Sequence, residues 1–251
     1  RPRSNDGSPG GERSGQDSPV AERLNTAGGG PSISEPELIL RYTFEGNCEN
    51  SGSLGASHNG RIHGRGKFVQ DSVQGNLAYD TGHNGYITIP AAELGQEISI
   101  TVWIKLDQAA ENIQTIISSW TPSDGGFSFA INSWKSSDRL LLLESWSSRG
   151  KKKAALSQPN AVSYDRWYHI VLSVSRRSNG VSMHVDGQKV PLDRNTLAGD
   201  FVDGRPLAIG RYYGTPDFMP FHFNGLLDDL RIYRKKLSRS DIRALLDESP
   251  G

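Results

Sequence analysis

Residues 165–190 read DRWYHIVLSVSRRSNGVSMHVDGQKV. Two runs within this stretch, 166–175 and 181–186, are rich in β-branched residues and have the length of strands. Asn179-Gly180 separates the two runs, and both residue types tolerate the positive φ angles of a tight hairpin turn. The stretch therefore predicts two antiparallel strands joined by a short turn.

The same succession of apolar runs and turns continues outward in both directions. The first run is 38–44, in which alternate residues are Leu, Leu, Tyr and Phe, and a Gly/Asn/Ser-rich loop follows at 46–66. Other predicted strands are 86–89, 98–106, 114–118, 127–131, 139–146, 188–191, 206–211 and 225–233. Ten or so short strands joined by Gly, Asn and Asp turns predict an all-β protein with two antiparallel sheets packed as a sandwich. One helix is predicted at Arg239–Asp247, after Ser238 as N-cap.

Residues 1–36 differ in composition from the rest of the chain. They contain 7 Gly, 5 Pro and 6 Ser, no aromatic residue and only five apolar residues. Such a segment cannot bury enough apolar surface to offset its chain entropy, so we predict a disordered linker at 1–36 and one domain at 37–251. An ordinary unstructured terminus is the alternative. The segment lacks a signal-peptide core and an initiator Met, so the chain is expected to be a processed form or a fragment.

Charge and hydropathy exclude several classes of protein. The chain has 28 Lys and Arg against 28 Asp and Glu, whereas nucleic-acid-binding proteins usually carry a basic excess. No run approaches 18 apolar residues, so no membrane span is predicted. A single cysteine, Cys48, cannot form an internal disulfide.

Six stretches, in order along the chain, resemble the laminin-G-like, concanavalin A-like jelly-roll family. The most specific is 165–190, with its Trp-x-His step and Val-Asp-Gly turn. The others are LILRYTFEGNCENSG (38–52), LAYDTGHNGYITIP (77–90), ISITVWIKLD (98–107), PLAIGR (206–211) and FNGLLDDLRIYRKKLSRSDIRALL (223–246). The resemblance covers roughly 38–247 and implies a jelly-roll sandwich. Within it we assign Trp103 and Trp167 to the core, and His169 to a hydrogen-bonded core position.

The family's fold also occurs in glycoside hydrolases and lyases, so an enzyme has to be considered. A retaining glycosidase needs two carboxylates about 5 Å apart. Glu144 stands alone in its strand, and Asp228 and Asp229 are adjacent, so their side chains point to opposite faces of a regular strand. The sequence has no Gly-x-Ser-x-Gly and no His-Glu-x-x-His motif. We therefore predict a domain that is not an enzyme.

A structural calcium ion is one interpretation of the acidic residues. Regular alternation in 225–233 places Asp228 on the same face as Leu226, Leu230 and Ile232, towards the core, where a carboxylate needs a partner. Calcium prefers six to eight oxygen ligands. The resemblance implies that the protein ligands would be Glu45, Asn47, Asp80 and Asp228. The alternative, left open here, is that Asp228 pairs with an arginine or with backbone amides.

Five aromatic residues near predicted strand ends are candidates for ligand binding, because sugars stack on exposed aromatic rings. They are Trp120, Trp134, Trp146, Tyr212 and Tyr213. The alternative is that each caps the core at the end of a strand. A basic cluster at 149–153 could contact an acidic polysaccharide, although short charged runs are usually solvated turns.

These observations favour a non-catalytic recognition module that binds a polysaccharide, a glycoconjugate or another extracellular ligand. The runner-up is a protein–protein adhesion or interaction domain, and the third hypothesis is a divergent polysaccharide hydrolase or lyase. No nucleic-acid partner is expected, and the module is predicted to be monomeric. The resemblance implies an extracellular, cell-surface or periplasmic location. The absence of an Asn-x-Ser/Thr sequon and of a disulfide favours a bacterial source.

Overall fold

The structure is a computed structural model that describes residues 37–82, 84–107, 112–147, 151–178, 180–195, 204–214 and 221–248. The predicted linker at 1–36 therefore lies outside the described residues, as do Asn179 of the predicted turn and Arg149 of the basic cluster. Among the described residues, no helix has both the length and the apolar character needed to cross a membrane.

Sixteen strands and one α-helix are found in the described part of the chain. The strands are β1 (Leu38–Tyr42), β2 (Arg61–His63), β3 (Lys67–Val69), β4 (Ala78–Asp80), β5 (Tyr86–Ala92), β6 (Glu97–Leu106), β7 (Gln114–Ser118), β8 (Gly126–Ile131), β9 (Leu141–Trp146), β10 (Lys152–Ser157), β11 (Trp167–Ser175), β12 (Gly180–Val185), β13 (Gln188–Lys189), β14 (Leu192–Asn195), β15 (Arg205–Ile209) and β16 (Gly225–Tyr233). The helix is α1 (Arg239–Asp247).

The strands form two eight-stranded antiparallel sheets, which confirms the predicted sandwich. In the first sheet the order is β13-β12-β11-β6-β16-β4-β3, and β1 also pairs with β16. In the second sheet the order is β14-β10-β9-β8-β7-β15-β5-β2. The strands at 165–190 therefore build one edge of the first sheet, and the second sheet is built largely from the middle of the chain.

The main core lies between the two sheets and follows from the alternation of side chains along each strand. In the first sheet, β6 contributes Ile98, Ile100, Val102 and Ile104. In the second sheet, β9 contributes Leu141 and Leu143, and β8 contributes the fully buried rings of Phe127 and Phe129. Each such side chain contributes roughly 1.5–3 kcal/mol on removal from water.

Strand β16 departs from regular alternation, and the predicted orientation of its side chains is wrong. Its register against β6 shifts between Asp228 and Arg231, and Asp229 has a φ angle of 41°. This irregularity places Leu227, not Leu226, in the main core with Leu230 and Ile232. Asp228 lies directly opposite Trp103 of β6 and so shares the outer face of the first sheet.

Trp103, Trp167 and His169 also lie on this outer face, so their assignment to the core is wrong. The reason is parity: Val102 and Ile104 face the main core, so Trp103 between them faces outward. Both tryptophans are half-buried, and the ring centroids of Trp103 and His169 are 5.1 Å apart. His169 is buried, but its Nδ1 has no hydrogen-bond partner within the described structure.

Helix α1 begins and ends where the sequence predicts and covers part of the outer face of the first sheet. Ser238 and Asp241 form a capping box, in which each side chain accepts a hydrogen bond from the other residue's backbone N–H. Ile242 and Leu245 pack in a small cluster with Val171. The opposite outer face, on the second sheet, lies on the far side of the sandwich from this helix.

Candidate functional site

The outer face of the second sheet carries a second apolar cluster. Leu141 and Leu143 face the main core, so Leu142 and Trp146 of β9 face outward. The cluster consists of Ile113, Ala130, Leu140, Leu142, Ala154 and Tyr212, with Trp120, Trp146, Leu156 and Phe221 packed against it. An outward sheet face of an antiparallel sandwich is usually polar, so this largely buried apolar cluster marks the candidate site.

Three of the five predicted aromatic residues meet in this cluster. The ring centroids of Trp120 and Trp146 are 5.3 Å apart, and that of Tyr212 lies 5.5 Å from the first and 6.1 Å from the second. The ring planes are inclined at 50°, 52° and 79°, arrangements that bring ring edges towards ring faces. Trp120 follows the end of β7, Trp146 ends β9, and Tyr212 lies in the segment after β15.

Trp134 joins the same cluster through Phe221, which the sequence analysis did not single out. Phe221 lies 4.9 Å from Tyr212 and 5.4 Å from Trp134, measured between ring centroids. Trp134 is 51% exposed, whereas Trp120 and Trp146 are half-buried and Tyr212 is buried. Tyr213 is half-buried and takes part in none of these ring contacts. The site thus offers a ring accessible to a ligand beside rings that are held in place.

A glycine turn positions Trp120. Gly126, at the start of β8, has a φ angle of 128°, and a Cβ atom there would lie 2.6 Å from the backbone oxygen of Ser119 and 2.8 Å from Cα of Trp120. The backbone N–H of Trp120 donates a 3.0 Å hydrogen bond to Oγ of Ser118. Glycine is needed because only it allows the two backbones to come this close at that φ angle.

Glu144 is buried beneath the aromatic rings and orients Tyr212. The Tyr212 hydroxyl donates a 2.7 Å hydrogen bond to Oε2 of Glu144, and Lys152 forms an ion pair with Oε1. Burial, followed by the negative charge of Glu144, raises the pKa of Tyr212 well above its usual value, so the hydroxyl remains a donor. The Lys152 ammonium also lies 5.5 Å from the ring centroid of Trp146. Both carboxylate oxygens of Glu144 are therefore engaged.

A second group of rings and cations continues across the same sheet, and the sequence analysis missed it. The Arg211 guanidinium lies 4.5 Å from the ring centroid of Tyr86, on β5. His63, on the neighbouring β2, stacks on Tyr86 with 4.7 Å between ring centroids and 11° between ring planes. Burial and the charges of Arg61 and Arg211 lower the pKa of His63. No motif indicated this group, because its members come from separate segments.

The four predicted calcium ligands lie in separate hydrogen-bonded environments. Glu45 Oε1 accepts hydrogen bonds from the backbone N–H groups of residues 76 and 77, at 2.9 and 3.1 Å. Asp80 Oδ1 accepts from the N–H of residue 82 at 2.8 Å, and its other oxygen lies 3.8 Å from Nζ of Lys67. Asn47 Oδ1 accepts from the N–H of residue 49 at 2.9 Å. Within the described ranges, no three His, Cys, Asp or Glu side chains come together as a metal-binding group.

Asp228 keeps one oxygen that could serve a metal. Its Oδ2 accepts hydrogen bonds from the backbone N–H groups of Val73 and Gln74, at 3.0 and 2.9 Å. Its Oδ1 is buried and has no partner among the described residues. Burial raises the pKa of Asp228 to about 7. The backbone amides that the sequence analysis offered as an alternative are present, and the unpartnered Oδ1 remains compatible with a cation.

The comparison with known families agrees with this geometry. The family model Laminin_G_3, described as "Concanavalin A-like lectin/glucanases superfamily", matches residues 80–243. The chain belongs to this superfamily. The matched range runs from β4 into α1 and includes all five aromatic residues predicted for the site.

Two solved structures that are similar to this chain are distant from it in sequence. Domain 4 of AbnA, a GH43 extracellular arabinanase from Geobacillus stearothermophilus solved in complex with arabinotriose, has 18% identity and a TM-score of 0.61. The similarity covers 85% of this chain and 100% of that one. The receptor binding domain of a botulinum neurotoxin C/D mosaic serotype has 13% identity and a TM-score of 0.65, over 85% of this chain and 52% of that one. These likenesses establish the fold.

A similarity to a much larger protein was also found. Over 162 residues the chain is 22% identical to the adhesion G-protein coupled receptor V1 of Danio rerio. The match covers 63% of this chain and 2% of the receptor. The chain therefore spans only a small fraction of this relative's length.

Proposed function

We propose that this domain is a non-catalytic recognition module that binds a carbohydrate on the outer face of the second sheet. The observation that carries the proposal is the joined ring cluster of Trp120, Trp146, Tyr212, Phe221 and the exposed Trp134. A sugar ring stacks on an aromatic face, and rings held by their neighbours lose little entropy when the ligand binds.

Polar groups beside the rings support the same proposal. Lys152 and Lys135 are exposed and lie near the rings of Trp146 and Trp134. Such side chains can donate hydrogen bonds to hydroxyl groups, and their positive charge favours a glycan that contains carboxylate groups. The arabinotriose complex of the AbnA domain is consistent with a saccharide ligand on this fold.

The test is a glycan array followed by calorimetry with arabinotriose and with the best-binding oligosaccharides. We expect Trp134→Ala to reduce affinity by at least tenfold, because it removes an exposed ring without opening the main core. Trp167→Ala is the matched control, since it removes a tryptophan from the outer face of the other sheet. Equal affinities for the wild type and Trp134→Ala would refute the proposed stacking site.

A protein ligand is the second candidate function. It is favoured by the similarity to an adhesion receptor and to a toxin's receptor binding domain. Exposed aromatic residues next to cations are also typical of protein-binding surfaces. Absence of binding to every glycan on the array, together with a Trp134-dependent interaction with an extracellular protein, would favour this function over the first.

The proposal of a non-catalytic role rests on Glu144. A retaining mechanism needs a nucleophile and an acid, and both oxygens of Glu144 are already bound to Tyr212 and Lys152. We expect that the domain forms no new reducing ends when it is incubated with the polysaccharides that it binds. Turnover that disappears in Glu144→Gln while binding persists would instead establish the divergent hydrolase or lyase.

We also propose a structural calcium ion at Oδ1 of Asp228. Glu45, Asn47 and Asp80 are the other protein ligands implied by the family resemblance, although in this structure they lie in separate hydrogen-bonded environments. The support is the buried, unpartnered Oδ1 of Asp228. Bound calcium would tie β16 to the segments after β1 and β4 and would compensate the buried charge. We expect calcium to raise the melting temperature of the wild type and not that of Asp228→Asn. No calcium-dependent shift in the wild type would exclude the ion.

An extracellular location and a monomeric state complete the proposal. The extracellular arabinanase that contains the similar AbnA domain supports the location. A cell-surface or periplasmic location and a bacterial source remain predictions from sequence. Fractionation of the native host with an antibody to the domain, and light scattering of the purified chain, would test them.

A further inference from the structure

We propose a second ligand site, for a tetrahedral oxyanion such as a sulfate ester or a phosphate, between the β12–β13 hairpin and the start of α1. A pocket of about 360 Å³ opens there, lined by His184, Gly187, Gln188, Lys189 and Arg239. It lies on the first sheet and is separate from the aromatic cluster on the second. The inference is therefore independent of the proposed glycan-binding face.

The walls of this pocket are fixed by the hairpin turn and the helix. Asp186 and Gly187 have φ angles of 47° and 73°, so both turn residues are in the left-handed region. A Cβ atom on Gly187 would lie 2.6 Å from Cδ1 of Leu246, which shows how closely the turn approaches α1. Arg239 is the first residue of α1, where the helix dipole favours negative charge.

The pocket carries positive charge that the described protein does not neutralise. Lys189 and Arg239 line the pocket, and Lys236 lies outside its lining. All three are exposed, and none forms an ion pair with a described residue. The nearest carboxylates in sequence are engaged elsewhere. Asp186 accepts a 2.9 Å hydrogen bond from the N–H of His169, and Asp241 caps the helix. Cations that line a pocket without a protein counter-charge provide the electrostatic attraction that an anion requires.

His184 lines the pocket and provides a means of detecting the ligand. Its Nδ1 is shielded from solvent and has no partner within the described residues. Burial and the charges of Lys189 and Lys236 lower the pKa of His184. A bound oxyanion would offset the charges of both lysines and favour the imidazolium, so it would raise that pKa.

The donor groups that line the pocket indicate an oxyanion ligand. Experiment distinguishes a free anion from a sulfate ester carried by a glycan. Lysine and arginine side chains bind sulfate and phosphate groups alike, and Gln188 adds a neutral amide. The probes are inorganic phosphate, inorganic sulfate and a sulfated disaccharide. A tenfold preference for the disaccharide over inorganic sulfate assigns a glycan sulfate ester, whereas equal affinities assign a free anion; either result supports the site.

The test combines calorimetry with NMR titration of His184 in the complete chain. We expect phosphate or the sulfated disaccharide to raise the pKa of His184, and the double variant Lys189→Gln/Arg239→Gln to bind at least tenfold more weakly. The matched control is Arg194→Gln/Arg243→Gln, which removes two exposed cations outside the pocket, one of them on the same helix. An unchanged His184 pKa, or equal weakening by the control, would overturn the proposal.

Discussion

The hydroxyl of Tyr212 donates a 2.7 Å hydrogen bond to the buried carboxylate of Glu144, 68 residues earlier in the chain. This contact joins the segment after β15 to the outer face of β9. It holds the ring of Tyr212 between Trp120 and Phe221, at 5.5 and 4.9 Å. The aromatic site therefore depends on a buried polar interaction and not on apolar packing alone.

Replacing Tyr212 by Phe should weaken the fold while leaving the aromatic ring in place. Glu144 would lose a hydrogen bond in a buried position, which costs about 1–3 kcal/mol. Urea unfolding of the wild type and Tyr212→Phe measures this difference. Tyr213→Phe is the control and should change stability by less than about 0.5 kcal/mol. Equal stability of the wild type and Tyr212→Phe would show that the bond contributes nothing net.

Gly126→Ala should displace Trp120 and reduce ligand binding together with stability. The new Cβ would clash with the backbone of Ser119 and Trp120 at a φ angle of 128°, at a cost of several kcal/mol. Gly55→Ala is the control, because Gly55 also has a positive φ angle, 64°, but a Cβ atom added there would meet no other atom within 4 Å. It should cost only about 1 kcal/mol. Calorimetry and urea unfolding on both variants distinguish the clash from backbone strain.

Burial of His169 should make the domain sensitive to acid. Burial, followed by the positive charge of Arg231, lowers the pKa of His169 to about 4, although Asp229 opposes this shift. The neutral imidazole is therefore favoured in the fold. Its contribution to stability is complete above pH 6.5 and is lost as the pH falls towards 4, by about 3 kcal/mol in total.

His169→Phe should remove this part of the acid sensitivity, because it preserves a ring beside Trp103 and has no proton to gain. We expect the free energy of unfolding of the variant, relative to the wild type, to rise steadily between pH 7 and pH 4.5. Urea unfolding at several pH values provides the measurement. Parallel pH profiles for the two proteins would contradict the assignment to His169.

Arg231 should be among the most sensitive positions of β16. Its guanidinium donates a 2.8 Å hydrogen bond to Oδ2 of Asp229 and a 3.1 Å bond to Oε1 of Glu248. Arg231→Met would leave the buried carboxylate of Asp229 with Arg41 as its remaining cation, and breaking a buried pair costs about 3–5 kcal/mol. Arg243→Gln, on the exposed side of α1, is the control. A change of less than about 1 kcal/mol in Arg231→Met would contradict the expected cost.

Much of the fold was predictable because alternation along a strand is a local property. Strands β7 and β16 and helix α1 have the predicted bounds, and β6 differs by one residue. The strands that were not predicted are short or carry charged residues: β2, β3, β10 and β14. For the basic run that includes Lys152 and Lys153 of β10, the sequence leaves open contact with an acidic polysaccharide or a solvated turn. In the structure, this strand pairs with β9 and places Lys152 against Glu144.

Alternation failed where the backbone itself is irregular. The φ angle of 41° at Asp229 and the register shift beside it reversed the expected orientation of Leu227 and Asp228. A bulge of this kind depends on pairing with β6 and on backbone amides from residues 73 and 74. None of these partners is close in sequence, so the pattern of apolar residues could not indicate the bulge.

The order of apolar runs and turns was enough to establish a two-sheet sandwich, because a β-strand must bury one face and a turn needs particular residues. The sequence also identified Trp120, Trp134, Trp146 and Tyr212 as candidate ligand contacts. It could not show that they meet on one outer face, or that α1 covers the other. Strand pairing and helix docking bring together residues that are far apart in the chain, and these contacts form only when the sheets are assembled. The candidate site is therefore a product of packing, built on strands that local sequence had largely specified.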